Sequence, residues 1–190
     1  MPGMGNIISN VFVCSIQRAE LGYLIRGRDL DSQEPLHADR TSIRCLAARQ
    51  TAEEFDSLLR GNGSFGALLE RYGFSAVPSP TNRGPGTGNL YFNGGYLTRV
   101  HGSLNGGTID AIQIESARSF REPSTRGRYA RAIACALRDF VCSYYSQNRT
   151  DKVSGCSDEH LQGYCSGQPC VLHTRLLWIS LVLTLMLCRD

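Results

Sequence analysis

A carboxylate at the end of an apolar strand is the first feature of this sequence able to do acid–base chemistry. Residues Ile109-Asp110-Ala111-Ile112-Gln113-Ile114-Glu115 alternate so that Ile112 and Ile114 share one face, and Ala111, Gln113 and Glu115 the other. In open α/β sheets, ligands bind beyond the carboxyl ends of the strands. A partly desolvated Glu115 in that position serves as a general acid or base. Paired with Arg118 or Arg121 it is an ordinary strand-end ion pair, and both readings stand. Just upstream, Asn93-Gly94-Gly95-Tyr96-Leu97-Thr98-Arg99-Val100-His101-Gly102 sets Tyr96, Arg99 and His101 into glycine-rich backbone. Glycine allows close approach to a ligand, arginine holds a carboxylate bidentately, and an imidazole moves protons near neutral pH. The plain alternatives are a loop histidine bonded to backbone and a surface ion pair of little energetic weight.

Metal ligation is harder to assemble from the same chain. Its histidines are His37, His101, His160 and His173, and neither an H-x-x-E pair nor a C-x-x-C pair occurs, the spacings that zinc sites use. Among the eight cysteines, Cys14, Cys45, Cys135 and Cys142 are scattered and read as buried small hydrophobes. Cys156, Cys165 and Cys170 crowd a polar tail, where an oxidised loop is the natural state. Two Asn-x-Ser/Thr triplets, at Asn62 and Asn148, are acceptor sequences for N-glycosylation. The 20 basic residues against 17 acidic ones leave a net charge of +3. That is too small a field for a dedicated nucleic-acid binder, so no nucleic acid is expected as a partner.

Elements that would position these residues follow from local signals. Glu20 to Ile25 reads as a short apolar strand or turn, and Arg26 to Arg40 as a charged loop. Thr51-Ala52-Glu53-Glu54 is a capping box, and Phe55, Leu58 and Leu59 continue it as a helix to about Arg60. After Gly61-Asn62-Gly63, Ser64 caps a second helix carrying Leu68, Leu69 and Tyr72, stopped by Gly73; Phe74 to Val77 is extended. Residues 84–107 hold eight of the 20 glycines. They predict a long bending loop with a strand near Leu90 to Phe92, because each interior glycine costs a helix ~1 kcal/mol. Pro123 and Ser124 open the last long helix, in which Tyr129, Ile133, Ala136, Leu137, Phe140 and Tyr144 recur at helical spacing and the arginines form a solvated face. Strands separated by helices predict an α/β domain over residues 1–145, with a Cys-containing polar linker over 146–175.

The segment YFNGGYLTRVHGSLNGGTIDAIQIESARSFRE resembles the N-formylglutamate amidohydrolase family, through a GGY-x-T-R loop leading into a strand that ends in Q-I-E. ELGYLIRGRDLD, SIRCLA and ERYGFSAVPSP extend the resemblance over roughly residues 19–145. It implies a three-layer α/β fold with a mixed sheet and flanking helices, similar to the zinc carboxypeptidases, and metal-dependent hydrolysis of C–N amide bonds in N-acyl amino acids. Carried across, Glu115 is the general base acting on a zinc-bound water. Arg99 anchors a substrate carboxylate or steadies the oxyanion, and Tyr96 and His101 line the pocket. Zinc is the implied cofactor and a small anionic N-acyl amino acid the implied partner. The family places its zinc ligands ahead of the ELGYLI match, where this chain reads Val11-Phe12-Val13-Cys14-Ser15-Ile16-Gln17. The chain is therefore expected to carry the C-terminal part of the fold, incomplete at its N-terminus, with weak or no activity. The alternative is a non-enzymatic, membrane-attached module binding a small anionic ligand or a protein partner.

The two ends bear on location. Ile7 to Val13 is a short apolar run that reads as a buried strand and makes a poor signal peptide. Residues 176–188 (LLWISLVLTLMLC) form an uncharged run, short of the ~20 residues a spanning helix wants. With Ser166-Gly167 and a polar spacer before it, this tail resembles a lipid-anchor signal. It predicts membrane attachment, extracellular and lipid-anchored, or else a buried or interfacial helix.

Overall fold

The computed structural model describes residues 17–145, together with Cys156, Cys165 and the backbone of 182–185. The chain is a mixed α/β fold built on a small mixed sheet. Strand β1 (Ala19–Gly22) lies between β2 (Ala76–Val77), parallel to it, and β3 (Asp110–Glu115), antiparallel to it. A fourth strand, β4 (Val182–Leu185), pairs antiparallel with the far edge of β3, giving the order β2-β1-β3-β4. The register between β3 and β4 sets Ala111 against Thr184 and Gln113 against Val182. The part of the hydrophobic tail that is described is thus a strand; the rest of the tail, the 146–175 linker except Cys156 and Cys165, and the apolar run 7–13 lie outside the described residues.

Helices α1 (Gly27–Asp31) and α2 (Arg44–Ala47) follow β1, with a 3-10 turn at Ala38–Arg40 between them. The stretch read as one charged loop is therefore partly helical. α3 (Ala52–Arg60) begins where the capping signal places it. The Glu54 amide donates to Thr51 Oγ1 at 3.3 Å, and the Thr51 amide donates to Glu54 Oε2 at 2.7 Å. Ser64 likewise caps α4 (Phe65–Arg71), accepting from the Ala67 amide. The buried stripes Phe55, Leu58, Leu59 and Phe65, Leu68, Leu69 meet the sheet residues Ala19 and Leu21, and Tyr23 just beyond β1, in one core. Thr51→Ala removes one side of the reciprocal cap and is expected to lower the unfolding free energy by ~1 kcal/mol. Equilibrium urea unfolding checks this, and an unchanged midpoint would contradict it.

The glycine-rich segment departs from its expected form. No strand forms at Leu90–Phe92, and a six-residue helix, α5 (Tyr96–His101), interrupts the loop. The glycines flank α5 and never enter it, so none imposes a helix-interior cost. Thr98 anchors it from within: its hydroxyl, fully buried, accepts from the Gly95 amide and donates to the Gly95 carbonyl, both at 3.0 Å. α6 (Arg118–Arg121) precedes α7 (Arg126–Tyr144), so the long helix starts after Thr125 and not at Pro123. Its arginine face is only partly solvated. Arg126 and Arg128 are exposed, whereas Arg138 is half-buried against Asp139.

Cysteine chemistry differs from expectation as well. Cys135 and Cys142 are not thiols acting as small hydrophobes. Cys135 is bonded to Cys165 and Cys142 to Cys156, tying the segment beyond α7 back onto the helix. Cys45 is disulfide-bonded too. The oxidised state read for Cys156 and Cys165 is observed; Cys14 and Cys170 lie outside the described residues.

Candidate functional site

Pairing of β3 with β1 decides what surrounds Glu115. The register sets Glu20 opposite Glu115 and Gly22 opposite Gln113, on one face of the sheet, while Leu21 opposes Ile114 on the core face. Side chains directly opposed on antiparallel strands stand about 5 Å apart at Cβ. Two carboxylates are therefore neighbours, one of them, Glu20, only 4% exposed. Glu20 Oε2 accepts the Phe92 amide at 2.8 Å.

That bond belongs to a clamp that holds residues 91–95 over this face. The Tyr91 hydroxyl donates to the Leu21 carbonyl at 2.6 Å, and the Leu24 amide donates to the Asn93 carbonyl at 2.6 Å. Burial first, then the Tyr23 hydroxyl and the Glu20 carboxylate, push the Tyr91 phenol well above its usual range. Such close approach demands glycine: a Cβ on Gly22 would lie 2.5 Å from the Gly94 nitrogen. Gly94 itself has φ +119°, a conformation side chains resist. Gly95 then rests on Gln113, where an added Cβ would stand 3.0 Å from Gln113 Oε1. Gln113 Nε2 in turn donates to Glu115 Oε1 at 3.2 Å. The chain of contacts from Glu20 through the glycine loop to Gln113 ends on Glu115.

Glu115 is half-buried at the carboxyl end of β3. Among the described residues no ion pair joins it to Arg118 or Arg121; Arg118 is directed at Glu122, 3.4 Å away. Tyr96, Arg99 and His101 share α5, and all three are exposed, Tyr96 by 73%. At about 100° per residue, Arg99 stands about 60° from Tyr96, whereas His101 stands about 160° from Arg99. The helix thus gathers Tyr96 and Arg99 on one flank and turns His101 to the other. Among the described residues, no hydrogen bond or ion pair links any of the three to Glu115.

A second polar cluster gave no motif signal. Asp110, 1% exposed, accepts from the Cys45 and Leu46 amides at 3.2 and 3.1 Å, from the Ser103 hydroxyl, and from the Tyr145 hydroxyl at 2.9 Å. One carboxyl group therefore joins α2, the 3-10 turn Ser103–Asn105, the start of β3 and the end of α7. Burial raises its pKa, against the lowering pull of these donors. Asp110 positions the strand that carries Glu115. The only advance signal was a polar residue opening an apolar strand.

The implied zinc finds no donor set here. Among the described residues, no group of three or more His, Cys, Asp or Glu side chains is placed to hold a metal ion. His37 and His101 are both exposed, and Glu20 and Glu115 supply two carboxylates without a third donor. An open cleft of about 450 Å³ lies elsewhere, lined in part by Asp31, Glu34, Asp56, Arg60 and Arg83. Three of its charges are committed to one another: Asp56 pairs with both Arg60 and Arg83. Burial alone would raise the Asp56 pKa, but hydrogen bonds and charge from Arg60 and Arg83 hold it below the usual carboxylate range. Comparison with protein-family models, with curated proteins and with solved structures finds no match to this chain.

Proposed function

We propose that this chain is an N-formylglutamate amidohydrolase-like hydrolase of C–N amide bonds in N-acyl amino acids, reduced in activity, with Glu115 as its general base. The three-layer order of the zinc carboxypeptidases is part of the same proposal. The observation that carries it is the setting of Glu115. It sits at a strand's carboxyl end beside the glycine loop, oriented by the Gln113 amide and without an arginine ion pair among the described residues. In this reading Glu115 takes a proton from water as the water oxygen bonds to the amide carbonyl carbon. The C–N bond then breaks and the proton passes to the leaving nitrogen. Tyr96 and Arg99, on one flank of α5, receive the substrate's carboxylate, and His101 stands apart from them. Since the described residues supply no zinc donor set, no step is assigned to a metal.

Glu115→Gln is expected to lower the turnover of N-formylglutamate by about 10²–10⁴-fold, the usual contribution of a positioned base. Arg99→Ala should act mainly on KM. Assay of released amino acid, with metal content measured on the same preparation, decides it. Equal rates in wild type and Glu115→Gln, or no release from either, would overturn the hydrolase reading.

A second reading draws on a different observation. Leu90, Tyr96, Leu97 and Val100 are large apolar side chains left 38–81% exposed around α5, beside Arg99. A binding module for a small anionic ligand or a protein partner would use such a face without chemistry. Membrane attachment through residues 176–188 is part of that reading; among the described residues, no helix is long and apolar enough to cross a membrane.

A further inference from the structure

We infer that Asn62 is an N-glycosylation site, and that the folded chain belongs to an oxidising compartment in which that modification is made. Three observations converge. The acceptor triplet Asn62-Gly63-Ser64 lies between α3 and α4, and the Ser64 amide closes a turn onto the Gly61 carbonyl at 3.0 Å. Asn62 takes the second position of that turn and is exposed. The inner side of the turn is the one that meets the protein: a Cβ on Gly63 would stand 2.9 Å from the Tyr144 hydroxyl. An oligosaccharide on Asn62 therefore projects into solvent and displaces no packed group. Independently, Cys135–Cys165 and Cys142–Cys156 are oxidised, with Cα separations of 5.7 and 5.6 Å. Disulfides of this kind persist in secretory and extracellular compartments and are rare where thiols are kept reduced.

The step is a displacement at an anomeric carbon. Asn62 Nδ2 bonds to the first sugar of a lipid-pyrophosphate-linked oligosaccharide, the bond from that carbon to the pyrophosphate oxygen breaks, and one amide proton is released. Ser64 sets the timing. Its side chain is fully buried as the cap of α4, so the triplet is presented before α4 docks, while the chain is still extended.

The full chain, expressed in a eukaryotic cell without an added leader, tests this. The wild-type protein should run larger on a gel and drop on treatment with an N-glycan amidase. Asn62→Gln should lose one glycan step, and Asn148→Gln should leave that step in place. Ser64→Ala should lose it as well, while Ser64→Thr, which keeps both the acceptor triplet and a capping hydroxyl, should retain it. That pair separates a modification site from a folding defect. Mass spectrometry of the tryptic peptide 61–71 gives a direct readout. Recovery of that peptide wholly unmodified overturns the proposal, whether the four cysteines are found oxidised or reduced.

Discussion

Asp110→Ala is expected to cost about 4 kcal/mol, because each buried donor left without an acceptor costs about 1–3 kcal/mol. The Leu46 amide and the Tyr145 hydroxyl each lose their described acceptor; the Cys45 amide retains the Ser103 hydroxyl at 2.9 Å, and Ser103 the Ser42 carbonyl at 3.2 Å. A small domain is stable by only about 5–15 kcal/mol, so the variant should sit near the edge of folding at room temperature. Urea unfolding should show a large fall in midpoint with an unchanged slope. Asp110→Asn keeps the shape and one acceptor oxygen and should lose about half as much. The pH dependence has a definite sign. Burial raises the Asp110 pKa in the folded protein above its unfolded value. Its stabilising contribution is therefore complete below the ordinary aspartate pKa of about 3.9 and is lost as pH rises through the folded value. The stability gap between wild type and Asp110→Asn should narrow over that rise. A gap that widened with pH, or a loss under about 1 kcal/mol for alanine, would contradict the network's role.

Gly22→Ala should lift the glycine loop from the sheet. The new methyl would stand 2.5 Å from the Gly94 nitrogen and 2.7 Å from its Cα, both backbone atoms that move only with the loop. Overpacking of this kind costs about 1–3 kcal/mol, and here it also pulls on the Tyr91–Leu21 and Glu20–Phe92 hydrogen bonds. Amide exchange at residues 92–95 should accelerate by tenfold or more, since every ~1.4 kcal/mol of lost protection is a factor of ten. Gly107→Ala is the control: its added carbon meets nothing closer than 3.8 Å and should leave exchange at 92–95 unchanged. Equal exchange in wild type and Gly22→Ala would show that the loop does not depend on the contact.

Both variants probe features whose partners come from far along the chain, and this separates what was legible in the sequence from what was not. The caps at Thr51 and Ser64, the stripes of α3 and α4, most of α7 and the strand ending at Glu115 are encoded within a few residues of themselves. Spacing reads them correctly because the interactions that stabilise them are equally local. α5 escaped because its stabilising elements are unusual for a helix. Glycines stand at both ends, and its anchor is the buried Thr98, bonded to Gly95. Leu90–Phe92 has the composition of a strand but, among the described residues, finds no strand to pair with; β1 spends its edges on β2 and β3.

The residue types at the candidate site, and the alternation that puts Gln113 and Glu115 on one face, were set by the sequence alone, as were the cysteines and the glycosylation triplet. Tertiary structure alone decided that Glu115 faces Glu20 and that Gly22 admits the loop. It also decided that α5 parts His101 from Arg99, and which cysteines are joined. Strand register and disulfide pairing join residues tens of positions apart, and their energies come from contacts that exist only once the chain has closed on itself. Local spacing carries no record of them.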